Sequence, residues 1–393
     1  MIKLSETFLK SSEEMIKKKV GINMAEKSEY MNSTIVKDFT KDIQQYNLGP
    51  LWEAIPALMD HEPNPHAHAY LWKEELLTKK LMEAAEIFTP DRGGERRAIY
   101  FQNPGLTYRQ PWGWASTTQT LYAAVQLLLP GEVAPSHRHS QSALRFITNG
   151  EGAYSIVQGE RIFMEEGDFL ITPKNLWHGH GHVGEKPMIW MDALDIPTIY
   201  SIGGTFFEPY PDRIETPKRP DNFSELRYQG GMVRPVSDRY SQVAPLANYK
   251  WKGTKAAIEG LMNFEPDPYE GFAVEYINPS NGQTANPTMG AWMQKLPKGF
   301  HTKAHRHTHS TIYQVHQGSG YTVINGMRFD WSKGDYFVVP NWAWHEHVAE
   351  ADSYLFSVND LPIMERFDLE QQQALDANNG YQKVESEFKP VLV

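Results

Sequence analysis

The stretch of chain that decides the fold opens with GEVAPSHRH at residues 131–139 and closes with TPKNLWHGHGH at residues 172–182. His137 and His139 alternate in a strand-like run, so both imidazoles would leave the same face of a β-strand. A third histidine, His178, follows a second strand-like block that ends at Pro173. Glycine turn signals separate the blocks, as in a barrel of short antiparallel strands. Because imidazole is a common ligand of transition metals, this stretch predicts a metal-binding β-barrel.

The same pattern occurs again further along the chain. Three histidines repeat the spacing of the first set, namely His305, His307 and His345. The glycines and the proline that frame the first set recur with them. An internal repeat of this length implies two barrels of one fold, packed together. The sequence therefore predicts an all-β core of two double-stranded β-helix (jelly-roll) barrels, with N-terminal and connecting helices.

The domain boundaries follow from where strand-like segments start and stop. We expect an N-terminal helical segment at residues 1–95, followed by a catalytic N-terminal barrel at 96–197. A connecting segment at 198–270 leads to a C-terminal barrel at 271–362, and a C-terminal helix and tail occupy 363–393. Helical spacing predicts one or two helices in Val36–Leu58, broken at Gly49-Pro50, and single helices over Tyr70–Phe88, Gly253–Met262 and Ile363–Leu375. Residues 1–30 are rich in Lys, Glu and Ser and predict a frayed segment, in which Met24 is an alternative start.

Composition narrows the class of protein. A chain of 393 residues, 40% hydrophobic and 22% charged, suits a globular protein of two domains. A net charge of −10 without a basic block argues against nucleic-acid or anionic-membrane partners. No apolar run is long enough to cross a bilayer, and the N-terminus lacks the apolar core of a signal peptide. The absence of cysteine excludes disulfides and thiolate ligands. Together these features favour a cytoplasmic protein.

The two predicted metal sites differ six residues past the second histidine. Arg145 stands there in the first barrel and Tyr313 in the second. Strand alternation places Arg145 on the same face as the histidines, where its planar guanidinium suits a single carboxylate. Because the first cluster supplies no fixed anion, we expect the anion to be the substrate. The second site lacks this arginine, so we expect it to be structural, accessory or empty.

The framework matches both sequence motifs of cupin barrels, with one departure. Many cupins carry a glutamate ligand where this chain has Ala143, so the first site would consist of three neutral imidazoles. The chain further resembles the gentisate 1,2-dioxygenase group of bicupin ring-cleaving dioxygenases over about residues 36–375. The resemblance is strongest in the run PGEVAPSHRHSQSALRF at residues 130–146. Salicylate 1,2-dioxygenase and 1-hydroxy-2-naphthoate dioxygenase belong to the same group.

This resemblance implies an Fe(II) centre and a set of substrate contacts. The iron ligands would be His137, His139 and His178. The substrate contacts would be Gln126, Arg145 and His180, with Arg145 orienting the carboxylate and His180 taking the phenolic proton or steadying the dioxygen. Tyr122 and Ala124 stand where the salicylate enzyme carries a tryptophan and a glycine, which places this chain on the gentisate side.

The implied reaction converts gentisate (2,5-dihydroxybenzoate) and O₂ to maleylpyruvate, and the implied assembly is a homotetramer. Salicylate and 1-hydroxy-2-naphthoate are the alternative substrates. A non-oxygenase cupin, such as an isomerase or a small-molecule-binding protein, is the alternative from another class, and it predicts no oxygen uptake with gentisate. A bicupin oxalate decarboxylase would need a glutamate ligand, which Ala143 and Thr311 do not supply.

Overall fold

The structure is a computed structural model that describes residues 24–89, 96–106, 115–228, 234–238 and 245–392. The chain divides into two compact units, Met1–Glu62 and Pro63–Val393. The first unit carries helices α1 to α3, at Met24–Met31, Thr34–Gln44 and Leu51–Leu58. The predicted break at Gly49-Pro50 is confirmed, because Pro50 is the N-cap of α3. Most of the segment predicted to be frayed lies outside the described residues.

Both barrels lie in the second unit. The strands up to the end of the first barrel are β1 (Tyr70–Trp72), β2 (Ala98–Tyr100), β3 (Tyr122–Leu128), β4 (Val133–His139), β5 (Ala143–Asn149), β6 (Glu151–Val157), β7 (Glu160–Glu165), β8 (Phe169–Thr172), β9 (His178–His182), β10 (Met188–Leu194), β11 (Phe207–Pro209) and β12 (Asn248–Tyr249). All of these strands except β1 form the two sheets of the first barrel, one of order β12-β8-β5-β10-β3-β2 and one of order β11-β4-β9-β6-β7. Strand β1 belongs to a sheet of the second barrel.

The second barrel repeats this arrangement. Its strands are β13 (Phe272–Glu275), β14 (Gly290–Leu296), β15 (His305–His307), β16 (Thr311–Gln317), β17 (Ser319–Ile324), β18 (Met327–Ser332), β19 (Tyr336–Val339), β20 (His345–Ala349), β21 (Ser353–Asn359), β22 (Gln372–Ala374) and β23 (Ser386–Glu387). They form sheets of order β1-β19-β16-β21-β14-β13 and β22-β15-β20-β17-β18-β23. Helices α4 to α8 lie at Glu74–Ile87, Ile196–Ser201, Phe223–Tyr228, Trp251–Leu261 and Leu361–Arg366. The predicted bicupin fold is confirmed.

Each barrel includes one edge strand, a borrowed strand, that comes from the chain segment preceding the other barrel. Strand β1 pairs with β19 of the second barrel, and β12 pairs with β8 of the first. A lysine follows each borrowed strand and meets a buried aspartate, with Lys73 Nζ 2.5 Å from Asp335 and Lys250 Nζ 2.6 Å from Asp168. The prediction of a helix from Tyr70 is therefore wrong in its first turn, because pairing with a distant strand overrides the local helical spacing. The domain boundaries drawn from the sequence stay a prediction.

The C-terminal helix predicted over Ile363–Leu375 is also wrong after its first four residues. Helix α8 ends at Arg366, and Asp368 adopts a left-handed φ of 57°, which a helix cannot continue. The chain then forms β22, which pairs with the histidine-bearing strand β15. In the first barrel, β11 covers the histidine-bearing strand β4 in the same way.

One hydrophobic core spans both barrels. It includes Phe146 from the first and Phe356 from the second, whose rings stack with centroids 4.1 Å apart and an interplanar angle of 8°. Burial of aromatic rings on this scale is a large stabilising contribution, so the two barrels support each other. Among the described residues, no helix has the length and apolar character needed to span a membrane.

Candidate functional site

The first site is a triangle of buried histidines inside the first barrel. His137 and His139 lie on β4, and His178 begins β9, directly paired with His137. Their ring centroids are 5.3 Å apart for His137 and His139, 4.4 Å for His137 and His178, and 4.8 Å for His139 and His178. One potential ligand atom from each lies within 4.8 Å of the others. The structure thus brings together the three histidines singled out by their spacing.

The glycines of the His-Gly-His-Gly-His run explain why this strand fits where it does. A Cβ on Gly179 would lie 2.5 Å from Ser136 Oγ, and a Cβ on Gly181 would collide with the ring of Tyr154. The strand is therefore packed tightly on one face, where only glycine fits. The alternating histidines take the other face, which is how His178 and His180 come to face the barrel interior.

Two of the three histidines, His139 and His178, are held in the tautomer that metal binding requires, whereas Nδ1 of His137 contacts the Arg96 guanidinium. His139 Nδ1 lies 2.9 Å from the carbonyl oxygen of Gln141, and His178 Nδ1 lies 2.9 Å from the carbonyl oxygen of Leu176. A carbonyl oxygen only accepts, so Nδ1 carries the hydrogen and Nε2 keeps its lone pair. Burial lowers the pKa of His139 to about 4, with the Arg96 guanidinium adding to the effect. A neutral imidazole at ordinary pH fits a divalent transition metal.

Arg145 lies beside this triangle, but it already has an anionic partner. The register aligns Arg145 with Asp192 on β10 and Asp192 with Ala124 on β3. Arg145 Nη2 is 2.8 Å from Asp192 Oδ1. The expectation that the first cluster supplies no fixed anion is therefore wrong. Asp192 comes from a strand 47 residues further along, and spacing within one motif cannot reveal such a pairing.

A hydroxyl connects Arg145 to His180. Arg145 Nη1 donates to Ser155 Oγ at 3.0 Å, and the same oxygen is 3.0 Å from His180 Nδ1. A guanidinium has no acceptor, so Ser155 accepts from Arg145, and its own hydrogen can go to Met164 Sδ at 3.4 Å or to His180 Nδ1. In the arrangement with Ser155 donating to His180, the hydrogen of His180 would lie on Nε2. Sequence reasoning missed Ser155, although a hydroxyl recurs at the matching position, Thr322.

The remaining predicted contact residues share the inner face of the same sheet. Tyr122, Ala124 and Gln126 are alternate residues of β3. Each is aligned with a residue of β10, and those β10 residues are aligned in turn with Ala143, Arg145 and Ile147 on β5. Burial raises the pKa of Tyr122, helped by the charge of Asp192, so its phenol stays protonated. Ala143 is buried and offers no ligand where many cupins have glutamate.

The second barrel holds a nearly identical triangle. The ring centroids are 5.4 Å apart for His305 and His307, 4.3 Å for His305 and His345, and 4.8 Å for His307 and His345. Its surroundings differ in a row of three side chains that lie side by side on neighbouring strands. This row consists of Ala124, Asp192 and Arg145 in the first barrel, and of Trp292, Ser357 and Tyr313 in the second.

Glu270 is a further residue near this second triangle that the sequence did not reveal. Its Oε1 lies 3.2 Å from His305 Nε2. It comes from the segment before β13, outside both histidine motifs, and no spacing signal identifies it.

Comparisons with known proteins agree with this architecture. The cupin domain family matches residues 124–196 and 292–358. Gentisate 1,2-dioxygenase 1 of Aquipseudomonas alcaligenes is 40% identical over 325 residues, which cover 82% of this chain and 92% of the relative. 5-Aminosalicylate 1,2-dioxygenase of a Comamonas species is 38% identical over 354 residues, covering 88% and 92%.

A solved structure extends the match to three dimensions. Salicylate 1,2-dioxygenase from Pseudoaminobacter salicylatoxidans, studied as adducts with gentisate, superposes with a TM-score of 0.82 at 32% identity, covering 87% of this chain and 94% of that one. The resemblance inferred from the sequence is thereby confirmed. This chain is a bicupin enzyme that belongs to the gentisate 1,2-dioxygenase family of ring-cleaving dioxygenases.

Proposed function

We propose that the first barrel cleaves gentisate between C1 and C2, using Fe(II) held by His137, His139 and His178, and releases maleylpyruvate. The observation that carries this proposal is the buried triangle of neutral imidazoles with Arg145 beside it. Three neutral ligands on one side of a metal leave positions for the two oxygens of a 2-hydroxybenzoate and for O₂. Both atoms of O₂ enter the product, so the reaction needs no external reductant.

Fe(II) would supply a template that holds the aromatic ring and O₂ at reacting distance and carries electrons between them. The donor set suits this ion because imidazole is a good iron ligand, and because no carboxylate side chain competes for the metal charge in this group among the described residues. A substrate dianion would then provide the charge that the protein ligands leave uncompensated.

Arg145 would position the substrate carboxylate by hydrogen bonding. Its charge is largely balanced by Asp192, so its contribution is directional more than electrostatic. Arg145 Nε is buried and has no hydrogen-bond partner in the described part of the chain. A buried N–H without an acceptor is unfavourable, and a bound carboxylate would supply the acceptor.

His180 would act as a hydrogen-bond donor. When Ser155 donates to His180 Nδ1, the hydrogen of His180 lies on Nε2. Of the two roles suggested by the resemblance, this favours steadying an oxygen atom over removing the phenolic proton, since Nε2–H can only donate. Tyr122, Ala124 and Gln126 would shape the space around the ring.

5-Aminosalicylate is a second candidate substrate. The Comamonas relative that is 38% identical to this chain is named for it. Its amino group replaces the 5-hydroxyl of gentisate, and both groups donate electron density into the ring. Salicylate has no such group, so we expect it and 1-hydroxy-2-naphthoate to react more slowly.

The test is anaerobic loading with Fe(II), followed by aerobic mixing with gentisate, 5-aminosalicylate, salicylate and 1-hydroxy-2-naphthoate. Oxygen uptake and the absorbance of each ring-opened product are recorded together. We expect one O₂ consumed per maleylpyruvate formed from gentisate. Turnover of none of these acids, with iron bound, would contradict the proposal and favour a non-oxygenase cupin.

We also propose that the enzyme works in the cytoplasm as a homotetramer. The absence of cysteine and the net charge of −10 support the compartment, and the family resemblance supports the assembly. Light scattering coupled to gel filtration tests the tetramer directly, with a mass near four times 45.0 kDa expected.

A further inference from the structure

Among the described residues, the second triangle has buried nitrogen atoms without a hydrogen-bond partner. His305 and His345 are 1% and 0% exposed, and Nε2 of each makes no hydrogen bond within the described ranges. His307 and His345 donate from Nδ1 to backbone carbonyls, at 2.8 Å and 3.0 Å, so their Nε2 atoms carry lone pairs. Buried lone pairs that converge without donors are unfavourable, and a cation would satisfy them.

Glu270 adds an anion to these lone pairs. Its Oε1 is 3.2 Å from His305 Nε2, yet the two atoms form no aligned hydrogen bond. Two ligands about 2.1 Å from one metal and at right angles to each other are about 3 Å apart. The distance therefore suits neighbouring ligands of one ion. Gln294 Nε2 fixes the other carboxylate oxygen at 3.1 Å and the Glu270 backbone carbonyl at 2.7 Å.

The surroundings of this triangle would repel an aromatic acid. Tyr313 and Trp292 stand where the first barrel has Arg145 and Ala124. Gln294, the counterpart of Gln126, is already bonded to Glu270. A cavity of about 680 Å³ next to the histidines is lined by three carboxylates, Asp267, Glu270 and Glu370, and no lysine or arginine lines it within the described part of the chain.

We propose that Glu270 is the fourth protein ligand of a second metal site, in which His305, His307, His345 and Glu270 bind a divalent first-row transition ion and exclude carboxylate substrates. The glutamate occupies the role that the substrate carboxylate would have in the first barrel. It reaches the ion from the segment before β13, whereas the usual cupin glutamate position is taken by Thr311, which cannot supply a carboxylate. Three nitrogens and one oxygen suit iron, manganese, zinc or nickel.

A metal-free alternative has a different signature. Glu270 and His305 could be a simple ion pair between a carboxylate and an imidazolium, which needs no metal. In that case the second barrel would contain no ion, and replacing Glu270 would change stability alone. Metal content measured per chain separates the two.

The experiment is elemental analysis of the full-length protein, purified after growth with iron, manganese and zinc supplied together. We expect two metal ions per chain in the wild type and one in each of His137→Ala, His345→Ala and Glu270→Gln. Glu370→Gln is the matched control, because Glu370 lines the same cavity but bonds to His309 and Thr308, and it should keep two ions. Circular dichroism and thermal unfolding of each variant exclude loss of metal through misfolding.

The inference does not depend on the reaction in the first barrel, so the two can fail separately. A wild type with one ion per chain, unchanged in His345→Ala and Glu270→Gln, would overturn the second site. Two ions in the wild type, one in His345→Ala and two in Glu270→Gln would leave the histidine site standing and overturn the role of Glu270. Gentisate turnover in the same preparations reports on the first barrel alone.

Discussion

The two barrels carry nearly the same histidine triangle in opposite surroundings. Corresponding centroid distances agree to within 0.1 Å, at 5.3, 4.4 and 4.8 Å in the first and 5.4, 4.3 and 4.8 Å in the second. Next to the triangle, the first barrel has an arginine paired with an aspartate, whereas the second has a tyrosine and a serine. The repeated fold places three histidines in the same arrangement in both barrels, and the neighbouring row of side chains differs between them.

The position of the carboxylate is the second difference. In the first barrel Asp192 pairs with Arg145, so the three neutral imidazoles would hold a metal without an anionic side chain. In the second, Glu270 contacts the triangle itself. A neutral ligand set leaves the metal charge for an anionic substrate, while a carboxylate ligand cancels part of that charge in advance.

The largest expected effect comes from removing a ligand on one side of the comparison. His137→Ala should lose the first iron and all gentisate turnover, because two imidazoles do not hold the ion in the required geometry. His305→Ala is its counterpart and should lose only the second ion while keeping turnover per first-barrel iron. A His137→Ala enzyme that keeps its first iron and its gentisate turnover would show that the ligand assignment is wrong.

The next effect is on substrate binding. Arg145→Ala should raise KM for gentisate about 10- to 100-fold, the range for loss of a hydrogen bond to a charged group, while iron content stays near wild type. It should also destabilise the fold, because Asp192 is left buried without its partner. Arg145→Ala combined with Asp192→Asn should recover part of the stability but none of the KM.

Tyr313→Ala is the matching change in the second barrel and should leave KM as it was. If Arg145→Ala instead lost its iron, or if its combination with Asp192→Asn restored KM, Arg145 would have a structural role and would not contact the substrate.

Local spacing was enough to identify the repeat, the histidine triangles and the Arg145/Tyr313 difference, because strand alternation and turn glycines act over a few residues. The prediction of helix over Tyr70–Trp72 is wrong because the pairing partner of this strand lies more than 260 residues away. The contacts of Asp192 with Arg145 and of Glu270 with His305 also lie outside any local pattern. Each meets its partner through tertiary packing, which a single sequence without pairing information does not record.

A smaller effect is expected for the hydroxyl that connects Arg145 and His180. Ser155→Ala should lower kcat about 10-fold, within the range for residues that orient an active-site group, with little change in iron content. Ser155→Thr copies Thr322 of the second barrel, whose Oγ1 is 2.8 Å from His347 Nδ1, and should keep most of the activity. Equal losses in both variants would mean that packing, and not hydrogen bonding, explains the effect.

The smallest effect is on stability as a function of pH. His316 is buried against Trp251 and Phe146, where the first barrel has Thr148, and burial lowers its pKa to about 4. The unfolded chain binds this proton near pH 6.5 and the folded chain does not, so its contribution is present above pH 6.5 and is lost as pH falls towards 4. Between pH 7 and 5 the loss should be about 2 kcal/mol.

Urea unfolding of the wild type and of His316→Phe at pH 7.0 and 5.0 measures this difference. The variant should lose less stability than the wild type between the two pH values. The same pH dependence in both proteins would assign the effect to other buried histidines.

The most direct test of the central comparison is a crystal structure of the iron-loaded protein soaked anaerobically with gentisate, with the iron located by anomalous scattering. We predict gentisate only in the first barrel, with its ring oxygens facing an ion held by His137, His139 and His178 and its carboxylate near Arg145. In the second barrel, Glu270 should occupy the place of the substrate. Gentisate bound in the second barrel, or a carboxylate side chain completing the first metal site, would contradict this assignment.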